Sequence, residues 1–235
     1  MLSNKSIKTI YHLADIHIRP LKRHLEYRTI FSKLYNEIKQ DANESLIVIC
    51  GDIVHEKDKI TPELIILIQE FLTELSNITD VILFSGNHDL IENNLERIPN
   101  LEALTPKSSR IHYLKHSKTY DFENVRFYLK SLEDNKPLPI PLTLDKINIA
   151  LYHGAIDKSL TDTNWALGGD HDISIFDSFD YAFLGDIHKT QQLDREGRIW
   201  YAGSTVQQNF GESLDKGYLL WDIQSKSDFT TKLIT

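Results

Sequence analysis

Along the first half of the chain the hydrophobic positions alternate between two rhythms. Ile7 to Leu13 reads as a strand that runs on to Asp15. Tyr27, Ile30, Phe31, Leu34 and Ile38 then recur at helical spacing, which predicts a helix from about His24 to Gln40. Leu46-Ile47-Val48-Ile49-Cys50 is short and wholly apolar, the mark of a strand buried on both faces. Thr61-Pro62-Glu63 opens a second helix with a capping hydroxyl, a proline in the first turn and an acid suited to the dipole. Leu64, Leu67, Ile68, Phe71 and Leu75 give that helix a core-facing stripe. Val81 to Phe84 is the next buried strand. The order βαβαβ predicts a parallel sheet with helices on its faces.

The second half changes character. Ile111 to Leu114, Thr119 to Asp121, Val125 to Leu129, Ile147 to Tyr152 and Tyr181 to Leu184 read as strands with few helical patterns between them. Ile199 to Ala202 and Gly217 to Ile223 are late strands. Glu133 to Lys146, with Pro137, Pro139 and Pro141, is a loop, and Ile156 to Ser174 is another. The expected whole is one α/β domain over residues 1–235, a sandwich of two sheets.

Composition narrows the setting. Hydrophobic residues make up 41% and charged residues 26% of the 235, which suits an ordinary globular domain. No apolar run approaches the roughly 20 residues of a membrane span, and the opening MLSNKSIKTI lacks the apolar stretch of a secretory signal. The single cysteine, Cys50, has no intrachain partner. These features point to a reducing compartment, cytoplasm or the surroundings of nucleoid or nucleus, rather than to secretion or a membrane. A net charge of −8 argues against a generally basic nucleic-acid surface but leaves room for a local one.

Metal-capable residues follow the strands, cluster after cluster. Asp15-Ile16-His17 follows the first, Gly51-Asp52-Ile53-Val54-His55 the second and Gly86-Asn87-His88-Asp89 the third. His153-Gly154 and Gly185-Asp186-Ile187-His188 follow two later ones. The carboxyl ends of parallel strands lie along one edge, so these loops are expected to converge. Taken singly, an Asp-x-His or a Gly-Asp after a strand is an ordinary turn. Five such fragments in order do not fit independent turns. Imidazole and carboxylate together suit manganese, iron or zinc, and Asp52 could bridge two ions through its two oxygens. The Asp-x-His spacing has a simple expected reason, that residues i and i+2 of an extended segment point the same way. Glycines before Asp52, Asn87 and Asp186 would let the backbone approach closely. Two metals about 4 Å apart would activate a water and hold phosphate oxygens for in-line attack.

This order, from Asp15 to His188, resembles the calcineurin-like metallophosphoesterases. A finer likeness is to the DNA-repair nuclease subunits of the SbcD/Mre-eleven group. It is carried by Gly51-Asp52-Ile53-Val54-His55, by Leu184-Gly185-Asp186-Ile187-His188-Lys189, and by Tyr201-Ala202-Gly203-Ser204. Gln208-Asn209-Phe210-Gly211-Glu212 and Asp215-Lys216-Gly217-Tyr218-Leu219-Leu220 extend it. The resemblance implies that Asp15, His17, Asp52 and His188 hold one metal and that Asp52, Asn87, His153 and Asp186 hold the other. It also implies that His88 stabilises charge or protonates the leaving oxygen, with His55 near the phosphate and Asp89 orienting the His88 ring. Where the family usually has Gly-His-x-His, this chain has Gly185-Asp186-Ile187-His188. An added carboxylate lowers the formal charge of the loaded site and favours manganese or magnesium over zinc.

The same resemblance implies a metal-dependent DNA nuclease, an exonuclease and single-strand endonuclease in repair or recombination. It further implies an SMC-like ATPase partner of the SbcC type and a homodimer, for which the helix from Pro62 to Ser76 is one candidate surface. The group's capping region and ATPase-docking segment would begin about where this sequence stops, so a nuclease core alone is expected. Arg19, Lys22, Arg23, His24 and Arg28 form the densest basic patch, next to the first metal motif, and are expected to meet DNA phosphates, with Lys189 a weaker candidate. Trp165, Trp200 and Trp221 are expected to pack rather than to stack on bases. The alternatives are a phosphatase or phosphodiesterase on a small or phosphoprotein substrate, and a catalytically weak scaffold.

Overall fold

Four strands at the start of the chain lie side by side and parallel: β1 (Thr9–Leu13), β2 (Ser45–Cys50), β3 (Asp80–Phe84) and β4 (Ile111–Tyr113). The structure, a computed structural model, describes residues 6–91, 94, 96–143 and 145–235. A second sheet is assembled from β5 (Thr119–Phe122), β6 (Val125–Lys130), β7 (Ile147–His153), β8 (Tyr181–Gly185), β9 (Gln191–Gln192) and β10 (Ile199–Tyr201), in the order β5-β6-β7-β8-β10-β9. Its inner strands β6, β7, β8 and β10 are parallel, with an antiparallel strand at each edge. The chain then returns to the first sheet as β11 (Tyr218–Ile223), antiparallel to β1, and β12 (Phe229–Ile234) beyond it. The architecture is the expected two-sheet α/β sandwich.

The alternation within each strand builds the layers. From β1 to β3, Tyr11, Leu13, Ile47, Ile49, Val81 and Leu83 turn outward against α1 (His24–Ile38) and α2 (Pro62–Ile78). Ile10, Leu46, Val48 and Phe84 turn inward and meet Phe127, Ile149, Phe183 and Trp221 between the sheets. The far face of the second sheet, with Tyr152, Ala182 and Tyr201, is covered by Ile156, Phe176 and Phe179 from the connection between β7 and β8. That connection is largely the expected loop, pinned by two isolated bridges (Ile156 with His171, Leu160 with Ala166) and ending in a short 3-10 helix at Ile173–Phe176.

Both long helices begin where their sequence signals lie. Thr61 is in extended backbone and its hydroxyl accepts the Leu64 N–H at 3.3 Å, capping α2 behind Pro62. Helix α1 ends at Ile38 and tightens into a 3-10 turn over Lys39–Glu44. Besides the two 3-10 turns, three elements went unread in the sequence: β12, the two-residue β9 and the one-turn α3 (Asn100–Leu104). Strand β12 is an edge with no fully buried residue, and α3 and β9 are too short for periodicity to register. Among the described residues no helix is long and apolar enough to cross a membrane.

Candidate metal centre

The carboxyl ends of β1, β2, β3, β7 and β8 meet at one edge of the sandwich, and the chain leaves four of its site residues in an uncommon conformation. Asp15, His17, Asp52 and Asp186 have φ of 50°, 49°, 55° and 94°, in the left-handed region that non-glycine residues seldom enter. The expected reason for the Asp-x-His spacing is thereby corrected. Asp15 and His17 share a side because tight left-handed turns place them there, not because the segment is extended. Such backbone costs about 1–2 kcal/mol per residue and persists where surroundings enforce it. Here two loops zip together: the His17 N–H donates to the Asp52 carbonyl at 2.9 Å and the Ile18 N–H to the Ile53 carbonyl at 2.8 Å.

Three glycines are demanded by the close approach; a Cβ on Gly185, before Asp186, would run into the Cys50 carbonyl oxygen. A Cβ on Gly51, at φ 82°, would lie 2.4 Å from Nδ1 of His153. One on Gly86 would lie 2.2 Å from Oδ1 of Asp52.

Asp52 is central. Its Oδ2 lies 3.5 Å from Nε2 of His17, and its Oδ1 lies 3.4 Å from Nε2 of His153. On the first side, donor atoms of Asp15, His17 and His188 all fall within 4.8 Å of one another, and Nε2 of His17 faces Nε2 of His188 at 2.9 Å. On the second side, Nε2 of His153 lies 3.2 Å from Oδ1 of Asn87 and 3.8 Å from Oδ1 of Asp186. The Asp186 N–H also donates to the Asp15 carboxylate at 3.1 Å. All seven expected ligands are therefore brought together, in two groups that share Asp52.

The electrostatics call for a cation. Among the described residues no lysine or arginine pairs with Asp15, Asp52 or Asp186, although Asp15 and Asp52 are buried. Burial pushes the Asp15 carboxyl up to about 7 and also raises Asp186, with Asp52 adding repulsion in both cases. Burial lowers the His17 ring to about 3, so it sits there neutral, as a ligand must. Burial opposes charge on His153 too, but Asp52, Asp15 and Asp186 outweigh it and hold that ring well above its ordinary value. One raised imidazole against three carboxylates leaves the buried acids short of positive charge, which is costly, and facing imidazole nitrogens with carboxylate oxygens form a donor set that divalent metals take. The residues present fit such ions.

Three of the imidazoles, those of His153, His188 and His88, are oriented by their other nitrogen. Nδ1 of His153 donates to the Cys50 carbonyl at 2.7 Å, and Nδ1 of His188 meets Oε1 of Glu212 at 2.9 Å. Nδ1 of His88 meets the His55 carbonyl at 2.7 Å. This redirects the expectation for Asp89. Its buried carboxylate accepts from the N–H groups of Asp52, Val54 and Gly86 at 2.7, 2.9 and 2.9 Å and leaves the His88 ring alone. Asp89 shapes the two loops. The backbone, not a carboxylate, orients His88. The His55 ring lies 5.4 Å from the His17 ring, at the rim of the group.

Glu212 was missed as a site residue, although it closes the Gln208–Glu212 stretch that carried the likeness. Of its neighbours, Lys216 lay in the Asp215–Leu220 stretch of the likeness, whereas Asp162 gave no sequence signal. Buried Lys216 reaches Asp162 at 3.2 Å, Glu212 at 3.3 Å and the His188 carbonyl at 2.7 Å, tying three loops to one ammonium. Residues 54 apart in sequence reveal such a pairing only once folded.

The basic patch divides. Arg19 and Lys22 line an open cleft beside the centre, where Arg19 donates to the Gln208 carbonyl at 3.1 Å. Arg23 lines the same cleft, but its guanidinium is spent on Glu26 and the Gln207 carbonyl. Arg28 binds Glu70 at 2.5 Å and staples α1 to α2, away from the ligands. His24 turns back on the Arg19 carbonyl, and Lys189 on Asn164. Trp221 is buried as expected, whereas Trp165 is exposed.

Comparison with known proteins gives the family. Residues 8–189 match the calcineurin-like phosphoesterase family, and the chain belongs to it. Membership implies a hydrolase of phosphoesters that uses divalent metals. An uncharacterised protein of Acanthamoeba polyphaga mimivirus is 38% identical over 245 residues, covering 96% of this chain. The chain spans 18% of that relative's length. Among solved structures, nuclease MPE of Pseudomonas putida overlaps 93% of this chain and 85% of its own, at 14% identity and a TM-score of 0.40.

Proposed function

We propose that this chain is a metal-dependent nuclease that hydrolyses DNA phosphodiesters, with Asp15, His17, Asp52 and His188 around one cation and Asp52, Asn87, His153 and Asp186 around the other. The carrying observation is the pair of donor groups that meet at the two oxygens of Asp52. Two divalent ions held there would supply Lewis-acid charge to the phosphate oxygens and lower the pKa of an attacking water. Manganese is the favoured ion, because three carboxylates and an amide oxygen make a hard donor set.

The protein's own groups do the rest. With Nδ1 committed to the His55 carbonyl, Nε2 of His88 is the nitrogen left to carry a proton to the leaving oxygen. Glu212 and the Cys50 carbonyl hold His188 and His153 in their rotamers. Cleavage of DNA rather than of a small phosphoester rests on the motifs around His55 and His188, and on the cleft with Arg19 and Lys22 that opens beside the centre.

The test is hydrolysis with manganese, magnesium and zinc on bis-p-nitrophenyl phosphate and on single- and double-stranded DNA. Manganese-dependent DNA cleavage is expected, falling by about 100-fold or more in His88→Ala. Hydrolysis of the small diester with no DNA cleaved under any metal would sink the nuclease reading and leave a phosphodiesterase. Absence of all activity would leave a scaffold.

A further inference from the structure

Phe210 is fully exposed, which is unusual for a phenylalanine on a tight turn. The turn is not loose. The Gln208 N–H and the Asn209 amide donate to Glu212 at 2.8 and 2.7 Å, and the Gly211 N–H donates to Oδ1 of Asn209 at 3.0 Å. The carboxylate that holds this turn is the one that holds His188. The Phe210 ring is thus carried on a frame continuous with the candidate centre.

Its position is as telling as its exposure. Asn209 lines two clefts at once, one of about 320 Å3 reaching Asp186 and His188, the other of about 570 Å3 reaching Arg19 and Lys22. Phe210 lines the second, and its neighbour Gly211 lines the first. Lys22 is exposed and, among the described residues, meets no acid. Arg19 is held by one guanidinium nitrogen, with its other donors open. Cations along a groove beside a rigid aromatic face form the arrangement that takes a single strand, phosphates on the cations and a base on the ring. A paired, stacked base offers no free face to a side chain.

We propose that Phe210 is a stacking platform for an unpaired nucleobase, on a single strand whose phosphates run past Arg19 and Lys22 toward His188. This rests on the nuclease reading above. Binding to the manganese-loaded chain would be measured by fluorescence anisotropy with a phosphorothioate-linked thymidine strand and the same strand made abasic. Phe210→Ala is expected to weaken the base-bearing strand by roughly 5- to 150-fold, the span of one base–aromatic stack, and to leave the abasic strand unchanged. Phe210→Trp should bind the first strand at least as tightly as wild type. Leu142→Ala, an exposed apolar residue in the connection before β7, is the control and should alter neither. Equal weakening of both strands, or of neither, would overturn the platform while wild type still cut DNA, and would leave Phe210 to a protein partner. If wild type bound neither strand and cut no DNA, the nuclease reading would fall first.

Discussion

His12 sits three residues before Asp15 and takes no part in the ligand set. Its ring is buried, stacks on Phe183 at 4.8 Å between centroids, and donates through Nε2 to the Leu184 carbonyl at 3.1 Å. Burial lowers its pKa from 6.5 to about 3, only partly offset by that hydrogen bond. Between those values the unfolded chain holds a proton that the folded chain refuses, so stability rises with pH across the window and is lost as pH falls below 6.5. At pH 5 the loss from His12 is on the order of 2 kcal/mol. Urea unfolding of chelated protein at pH 7 and pH 5 should show His12→Phe losing less than wild type by about that amount. An identical loss in both would place the acid sensitivity elsewhere. The same scale shows what residue types reveal. Asp15, Asp52, His153 and His188 were legible because their donors suit metals and their spacing follows strands. The work of Asp89 and Glu212 was not, because acceptors choose partners by proximity, and proximity arrives with the fold.

Strands and helices were legible in proportion to how much they bury. Strand β2 is buried at every position and α2 carries an unbroken stripe, and both lie where their patterns placed them. Strand β12 buries no residue fully and passed unread. Element ends matter here because the chemistry hangs on them. The Thr61 hydroxyl that caps α2 also donates to the Pro20 carbonyl at 3.0 Å, and so ties the helix start to the segment just past His17 and Arg19. Thr61→Ala should cost about 1–2 kcal/mol, seen as a shift of the urea midpoint at unchanged slope. Thr61→Ser, which keeps the oxygen, should recover most of it. A serine variant as weak as alanine would mean that the methyl group, not the cap, carries the effect.

At the scale of the molecule, the candidate ligands come from two sheets. Asp15, His17, Asp52 and Asn87 leave the first, whereas His153, Asp186 and His188 leave the second. Neither sheet holds a complete set. Manganese at 100 times its Kd at one site should add about 2.7 kcal/mol of stability, a rise in Tm of roughly 5–10 °C for a chain of this size. Asp186→Ala should keep the first ion and lose the second by elemental analysis; full occupancy by both would remove Asp186 from the ligand set. A cation between Asp52 and His153 would act as a rivet between two plates. Its grip then gauges how squarely the plates sit. A void opened in the filling, at Trp221 or Phe183, would let one plate slide and loosen the rivet from a distance, with every ligand still in place.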